Sequence, residues 1–281
     1  MQRLVCSTYF KQVLFGVTML TCATIVQAAS PWMRSEAERF YWAGITYSTG
    51  DQRWDDKSNQ KKVDCRNSDW YMHQKIEYGY SYYYTLIAGL SAASANCGDD
   101  RLTGVGDLTL GIRGRLDKYR NGKSWEITTI IPTGYERDNS SRPGNGRFGI
   151  EAGVAWLFKE EERELVNSWS WQGGVAIRLW QGPPADQFLS YLSVQHRIAA
   201  VGKIGMRISG DFSFRNESPE KIKFENRTRL TDFDKVRAAV SWSSRISARW
   251  SWQANVGHVL WGRNVTDNLT VGLNISHDWS Q

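Results

Sequence analysis

The residues best placed to do chemistry are charged groups that alternate with leucines. Between Gly104 and Leu116 the chain sets Leu108, Leu110, Ile112 and Leu116 on one side and Asp107, Thr109, Arg113 and Arg115 on the other. Arginines buried in an apolar core without partners would be expensive, so that second face must meet water or opposite charge. Extending the alternation along the chain gives an inward set of Lys75, Arg113, Arg115, Arg178, Arg197, Lys203, Arg207, Arg237 and Arg249 against Glu77, Asp107, Glu126, Glu151, Asp211 and Asp278. Two uses fit such a set. The charges can pair across neighbouring strands and hold a wall together, or their cationic surplus can draw carboxylate or phosphate groups into a narrow passage. Both can hold at once.

Catalytic and metal chemistry find no footing. The four histidines read His73-Gln-Lys, His196-Arg-Ile, His258-Val-Leu and His277-Asp-Trp, so the His-x-Ser pair of an outer-membrane phospholipase is missing. Ser276 and His277 are adjacent, which on a strand turns them to opposite faces and spoils a serine–base pair. Gly104-Val-Gly106 resembles a phosphate loop only in its glycines, because no helix and no Gly-Lys-Ser or Gly-Lys-Thr follows. Cys65 and Cys97 fall in expected loops, form a candidate disulfide, and lack a second cysteine or histidine at metal-ligand spacing. No enzyme activity and no cofactor are expected.

The elements that must carry the charged face are strands. Alternating segments near 38–49, 71–79, 82–93, 104–116, 124–134, 147–158, 166–180, 187–199, 202–214, 233–244, 247–260 and 268–280 number twelve, and bacterial single-chain barrels use even numbers. In 147–158, Phe148, Ile150, Ala152, Val154, Trp156 and Phe158 alternate with Gly149, Glu151, Gly153, Ala155 and Leu157. Connections after odd strands are expected to be loops, including 50–70, 94–103, 135–146 and 215–232, while several after even strands are tight turns. That sorting puts long loops on one rim. Trp125, Trp156, Trp169, Trp171, Trp242, Trp250, Trp252 and Trp279 lie toward strand ends, where amphipathic rings settle at lipid headgroups. Phe40, Trp42 and Trp180 break the alternation and point inward if the register holds.

Compartment and class follow from the ends and the charge. Arg3 and Lys11, an apolar stretch from Val13 to Val26 and small residues near Ala28 form a secretory leader, expected to be cut after about Ala28 or Ala29. The expected organisation is therefore a signal peptide over 1–29 and one all-β, transmembrane antiparallel barrel of about twelve strands over 30–281. The chain carries 35 Lys and Arg against 29 Asp and Glu. That mild excess is spread along the chain, which favours anionic solutes or lipid headgroups and argues against nucleic acid.

Gly104-Val-Gly-Asp-Leu-Thr-Leu-Gly111, Ile131-Pro-Thr-Gly134, Gly146-Arg-Phe-Gly-Ile-Glu-Ala-Gly-Val-Ala-Trp156 and Gly262-Arg-Asn264 resemble segments of the outer-membrane transporter family labelled for the meta-pathway of phenol degradation. The resemblance implies an exported bacterial barrel that moves small, apolar or aromatic compounds. Such barrels usually close on an aromatic residue read by the assembly machinery, a role that Trp279 would serve two residues before the end. The expected function is passive passage of small anionic, aromatic or amphipathic solutes through a charged lumen in the bacterial outer membrane. Arg113, Arg207 and Arg249 would supply the anionic bias. Outer-membrane lipid, lipopolysaccharide and the barrel assembly machinery are the expected partners. A structural or adhesive barrel that binds lipopolysaccharide or a surface protein is the alternative.

Overall fold

Period-two alternation rich in Val, Ile, Tyr and Trp suits strands whose two faces meet different surroundings. A computed structural model describes residues 29–97, 100–117, 122–133, 146–159, 168–182, 185–198, 202–214, 221–223, 228–230 and 232–279. Its strands are β1 (Arg39–Trp54), β2 (Gln60–Gly79), β3 (Tyr84–Cys97), β4 (Asp100–Arg115), β5 (Lys123–Ile131), β6 (Gly149–Lys159), β7 (Trp169–Trp180), β8 (Gln187–Ile198), β9 (Gly202–Ser213), β10 (Lys221–Lys223), β11 (Thr228–Leu230), β12 (Asp234–Arg245), β13 (Trp250–Arg263) and β14 (Val265–Trp279). All but β10 and β11 form one closed antiparallel barrel, and those two make a separate hairpin. β1 seals the wall, with Arg39 opposite both Tyr78 of β2 and Trp279 of β14. Closure leaves the barrel wall without a strand edge, which hydrocarbon would not tolerate.

The outer face is apolar all the way round. Ile76, Leu86, Leu110, Ile127, Ile150, Ile177, Leu192, Met206, Val240, Val256 and Val271, each from a different strand, are exposed. Such a band is stable against lipid tails and would be an aggregation liability in water. Tyr84, Phe158, Trp169, Trp171, Trp242, Trp250 and Trp279 ring the rim of the short turns, and Phe148, Phe214 and Trp261 stand at the other rim. Both aromatic girdles are present, the first much the heavier.

Three expected loops are shorter than their sequences suggest. Segment 50–70 is mostly strand, because β1 and β2 run on past a register shift to the tip at 55–59. There Asp55 accepts hydrogen bonds from the backbone N–H groups of Lys57 and Asn59, and Lys61 lies 2.9 Å from its carboxylate. Both faces of this extension meet water, so no apolar alternation marks it. Segment 94–103 likewise belongs mostly to β3 and β4, which corrects the placing of Cys65 and Cys97 in loops. Their backbones lie near one another, since Cys97 is opposite Asn67, but their side chains fall outside the described residues. Segment 261–267 closes at a single residue, Asn264, which takes a left-handed φ of 57°. Arg263 beside it bridges Asp232 at 2.8 Å and Asp234 at 2.8 Å and ties that turn to the start of β12. The expected loop 135–146 lies outside the described residues except for Gly146.

Candidate functional site

One side of the barrel interior is occupied by the chain's own N-terminal segment. Residues 29–38 enter from the short-turn rim, where the Ala37 N–H donates to the Gly79 carbonyl at 2.8 Å and the Ser35 N–H to Glu38 Oε2 at 2.7 Å. Gly79 is required there, since a Cβ would overlap the Ser35 carbonyl oxygen. Further in, the Trp32 indole donates to Gln172 of β7 at 3.3 Å, and Ser124 donates to the Ser30 carbonyl at 2.7 Å. Tyr191 of β8 donates to the Ala29 carbonyl at 3.2 Å. Ala29, Ser30 and Met33 are consequently buried. An extended backbone in a lumen needs donors and acceptors from the wall, and these side chains supply them.

An ionic ladder along β2 to β5 anchors that segment. Arg113 is fully buried, with Nε 2.8 Å from Glu126, Nη2 3.0 Å from Glu77 and Nη1 2.6 Å from the Trp32 carbonyl. Glu126 is its cross-strand partner on β5, whereas Glu77 lies two strands away on β2. The guanidinium spans β3 because its neighbour there is the small Thr85. Thr85 Oγ1 in turn accepts from the Arg34 N–H at 3.1 Å. Glu77 also takes Arg34 at 2.8 Å and Lys75 at 3.0 Å, so each charge of the group touches an opposite one, as burial demands. Farther round, Glu151 holds Arg178 at 2.6 Å, and Arg178 and Trp180 both donate to Gln187, at 3.3 and 3.4 Å.

The opposite half of the lumen is open. A cavity of about 500 Å³ lies between the N-terminal segment, through Ser30, Trp32 and Arg34, and a wall of β8, β9, β12, β13, β14, β1 and the adjoining face of β2. Its lining on β14 runs from Thr266 near one rim to Ser276 near the other. Hydroxyl and amide groups dominate this wall, among them Ser193, Ser209, Ser241, Asn255, Thr270 and Asn274. Phe40 and Trp42 also face the cavity, and Arg34 stacks on Phe40 with Cζ 3.8 Å from the ring centroid.

The residues expected from sequence to face inward divide into three groups. Lys75, Glu77, Arg113, Glu126, Glu151 and Arg178 make the paired ladder described above. Arg207, Asp211 and Arg237 belong to the open half. There Arg207 stacks on Tyr191 at 4.1 Å, Lys235 pairs with Asp211 at 3.4 Å, and Arg237 donates to Thr270. The third group stands apart: Arg115 stacks on Tyr82 at 3.9 Å beside the β2–β3 turn, Arg197 sits opposite Lys203 at the end of β8, and Asp107 lies on the inward side of β4. Arg249 is a correction. It is exposed in the turn between β12 and β13, which begins its second strand only at Trp250. Arg113 likewise cannot serve passing solutes, since it is enclosed by its own partners. Sequence reasoning missed the N-terminal segment altogether. It is too short and too irregular to show a period.

Neither a protein family model nor a curated relative matches the chain. Among solved structures it is similar to the COG4313 outer membrane channel from Pseudomonas putida F1, with a TM-score of 0.71 over 90% of this chain and 100% of that one at 13% identity. The fold is that of an outer-membrane β-barrel. Remoter similarities of this outer-membrane barrel include the NanC porin, at 8% identity and TM-score 0.45 over 83% of this chain and 98% of that one. A Pseudomonas aeruginosa FadL homologue follows, at 6% identity and TM-score 0.44 over 86% and 91%. With its lipid-facing band and closed wall, the chain is a bacterial outer-membrane barrel.

Proposed function

We propose that this barrel is a passive channel for small polar solutes, which pass along the open half of the lumen beside the fixed N-terminal segment. The observation that carries the reading is the cavity whose lining reaches from Thr266 to Ser276 on β14. Hydroxyl and amide groups along a wall replace a solute's water shell without holding it tightly, which is what passage requires. The ladder of Arg113, Glu77 and Glu126 takes the structural share of the charged lumen, and the N-terminal segment sets the width of the remainder. The resemblance to transporters labelled for the meta-pathway of phenol degradation supports transport, while the lining favours polar over apolar cargo.

Processing after Ala28 or Ala29 fits this arrangement, because the residues that follow are already seated in the lumen. Lipid and lipopolysaccharide would contact the outer band, and Trp279 at the end of β14 is the aromatic available to the assembly machinery. Liposome swelling tests the function. Vesicles carrying the mature protein should swell in isotonic small sugars faster than empty ones, and equal rates for every solute would overturn the proposal.

A further inference from the structure

The open half of the lumen is lined unevenly in charge. Its acidic side chains are Glu77 and Asp211, and each already has a cation at hand: Arg34 and Lys75 at 2.8 and 3.0 Å from Glu77, and Lys235 at 3.4 Å from Asp211. Arg207 and Arg237 add two more positive groups to the same lining. They sit on adjacent strands, Arg207 opposite Ala239 and Arg237 opposite Ser209, so they face the lumen as diagonal neighbours with Cα atoms about 7–8 Å apart. Arg207 stacks on the Tyr191 ring at 4.1 Å, and Arg237 donates to Thr270. Each also has a serine directly across the ladder, Ser193 beside Arg207 and Ser209 beside Arg237.

We propose that Arg207 and Arg237 form a carboxylate station inside the channel, and that its solutes are small hydroxylated carboxylic acids of the sugar-acid kind. Guanidinium forks match a carboxylate in plane and in number of donors, which a single ammonium does not. The serines and Asn255 around the pair offer hydroxyl and amide partners to the rest of such a molecule. A lumen walled by low-dielectric protein and lipid strengthens the attraction, and the net positive lining repels cations along the same route. The assignment rests on the channel reading and names its cargo.

The test uses the mature, full-length protein in planar bilayers. In a potassium chloride gradient the reversal potential should show preference for chloride, and potassium gluconate should interrupt the current in a concentration-dependent way. Replacing both arginines, Arg207→Gln with Arg237→Gln, should bring the selectivity close to neutral and weaken gluconate block by about tenfold or more, the loss expected for a charge-assisted hydrogen bond. Arg245→Gln, on the exposed end of β12, should change neither. Heat-modifiable mobility shows that each variant has folded. Should the Gln pair fail to fold, Arg207→Lys with Arg237→Lys keeps the charge and should retain chloride preference while losing gluconate block. Wild-type current without preference for chloride overturns the station but leaves the channel standing. Block by inorganic phosphate as strong as that by gluconate overturns the hydroxy-acid assignment. No current from folded protein overturns the channel itself.

Discussion

Replacing Arg113 by methionine isolates what the ionic ladder contributes. In the wild type its guanidinium is completely enclosed and touches Glu77, Glu126 and the Trp32 carbonyl. Glu77 would keep Arg34 and Lys75 after the change, so the cost falls on Glu126, left buried without its cation, and on the N-terminal segment, which loses the bond to its Trp32 carbonyl. Orphaning one member of a buried pair typically costs about 3–5 kcal/mol. For a chain of this size that corresponds to a fall of roughly 6–20 °C in the unfolding midpoint. The assay is the temperature at which the folded, fast-migrating band converts to the unfolded one in detergent electrophoresis. Adding Glu126→Gln to Arg113→Met removes the stranded charge and should recover most of the loss, since a buried pair replaced as a unit is often nearly neutral. A midpoint for Arg113→Met within about 2 °C of wild type, smaller than a loss of 1 kcal/mol produces, would show that the buried pair contributes no stability. A double variant no better than the single would show that the stranded Glu126 charge is not the source of the loss.

Gly79→Ala should unseat the N-terminal turn, because its new methyl collides with the Ser35 carbonyl, and single-channel conductance should rise while the barrel stays heat-modifiable. The β1–β2 tip depends on Asp55. Hydrogen bonds from the Asn59 backbone and the contact with Lys61 hold its carboxyl well below the usual carboxylate range. A depressed folded value means that the contribution is complete above the unfolded value near pH 4 and is lost only as pH falls toward the folded one. The β1–β2 tip should therefore resist pepsin at about pH 4 and open at more acid pH. At pH 8, by contrast, Asp55→Ala should expose Lys57 and Lys61 to trypsin. Intact mass of the protein from isolated outer membranes should match a chain that begins at Ala29 or Ser30, and a mass that retains the leader would contradict the proposed processing.

How much of this was legible in the sequence varies along the chain. The strands in contact with lipid announced themselves, because one face must be apolar and the other must not: Ile150, Ala152 and Val154 against Glu151 and Gly153 could be read directly. The outer ends of β1 and β2 could not, since both faces there are solvated and Gln60 to Asn67 reads as an ordinary polar loop. Glu126 and Glu151 were recognisable as inward acids, and their cross-strand partners Arg113 and Arg178 follow from register. The reach of Arg113 to Glu77 was hidden, because it depends on Thr85 being small at one position of the intervening strand. Arg249 was misplaced by a strand boundary: with β13 beginning at Trp250, it falls in a turn where alternation no longer decides which way a side chain points. The N-terminal segment was the largest omission, since its place is fixed by scattered wall groups such as Gln172, Ser124 and Tyr191 and not by any pattern of its own.

On this reading the barrel conducts through half its lumen while its own N-terminus fills the other half. Single-channel recording of the mature protein beside a version whose barrel begins at Glu38 behind an unchanged leader addresses it directly. Wild type should give small, discrete openings, and the shortened chain should give openings of clearly larger conductance with the mobility shift of a folded barrel. Silence from both proteins, or identical conductance in the two, would contradict it.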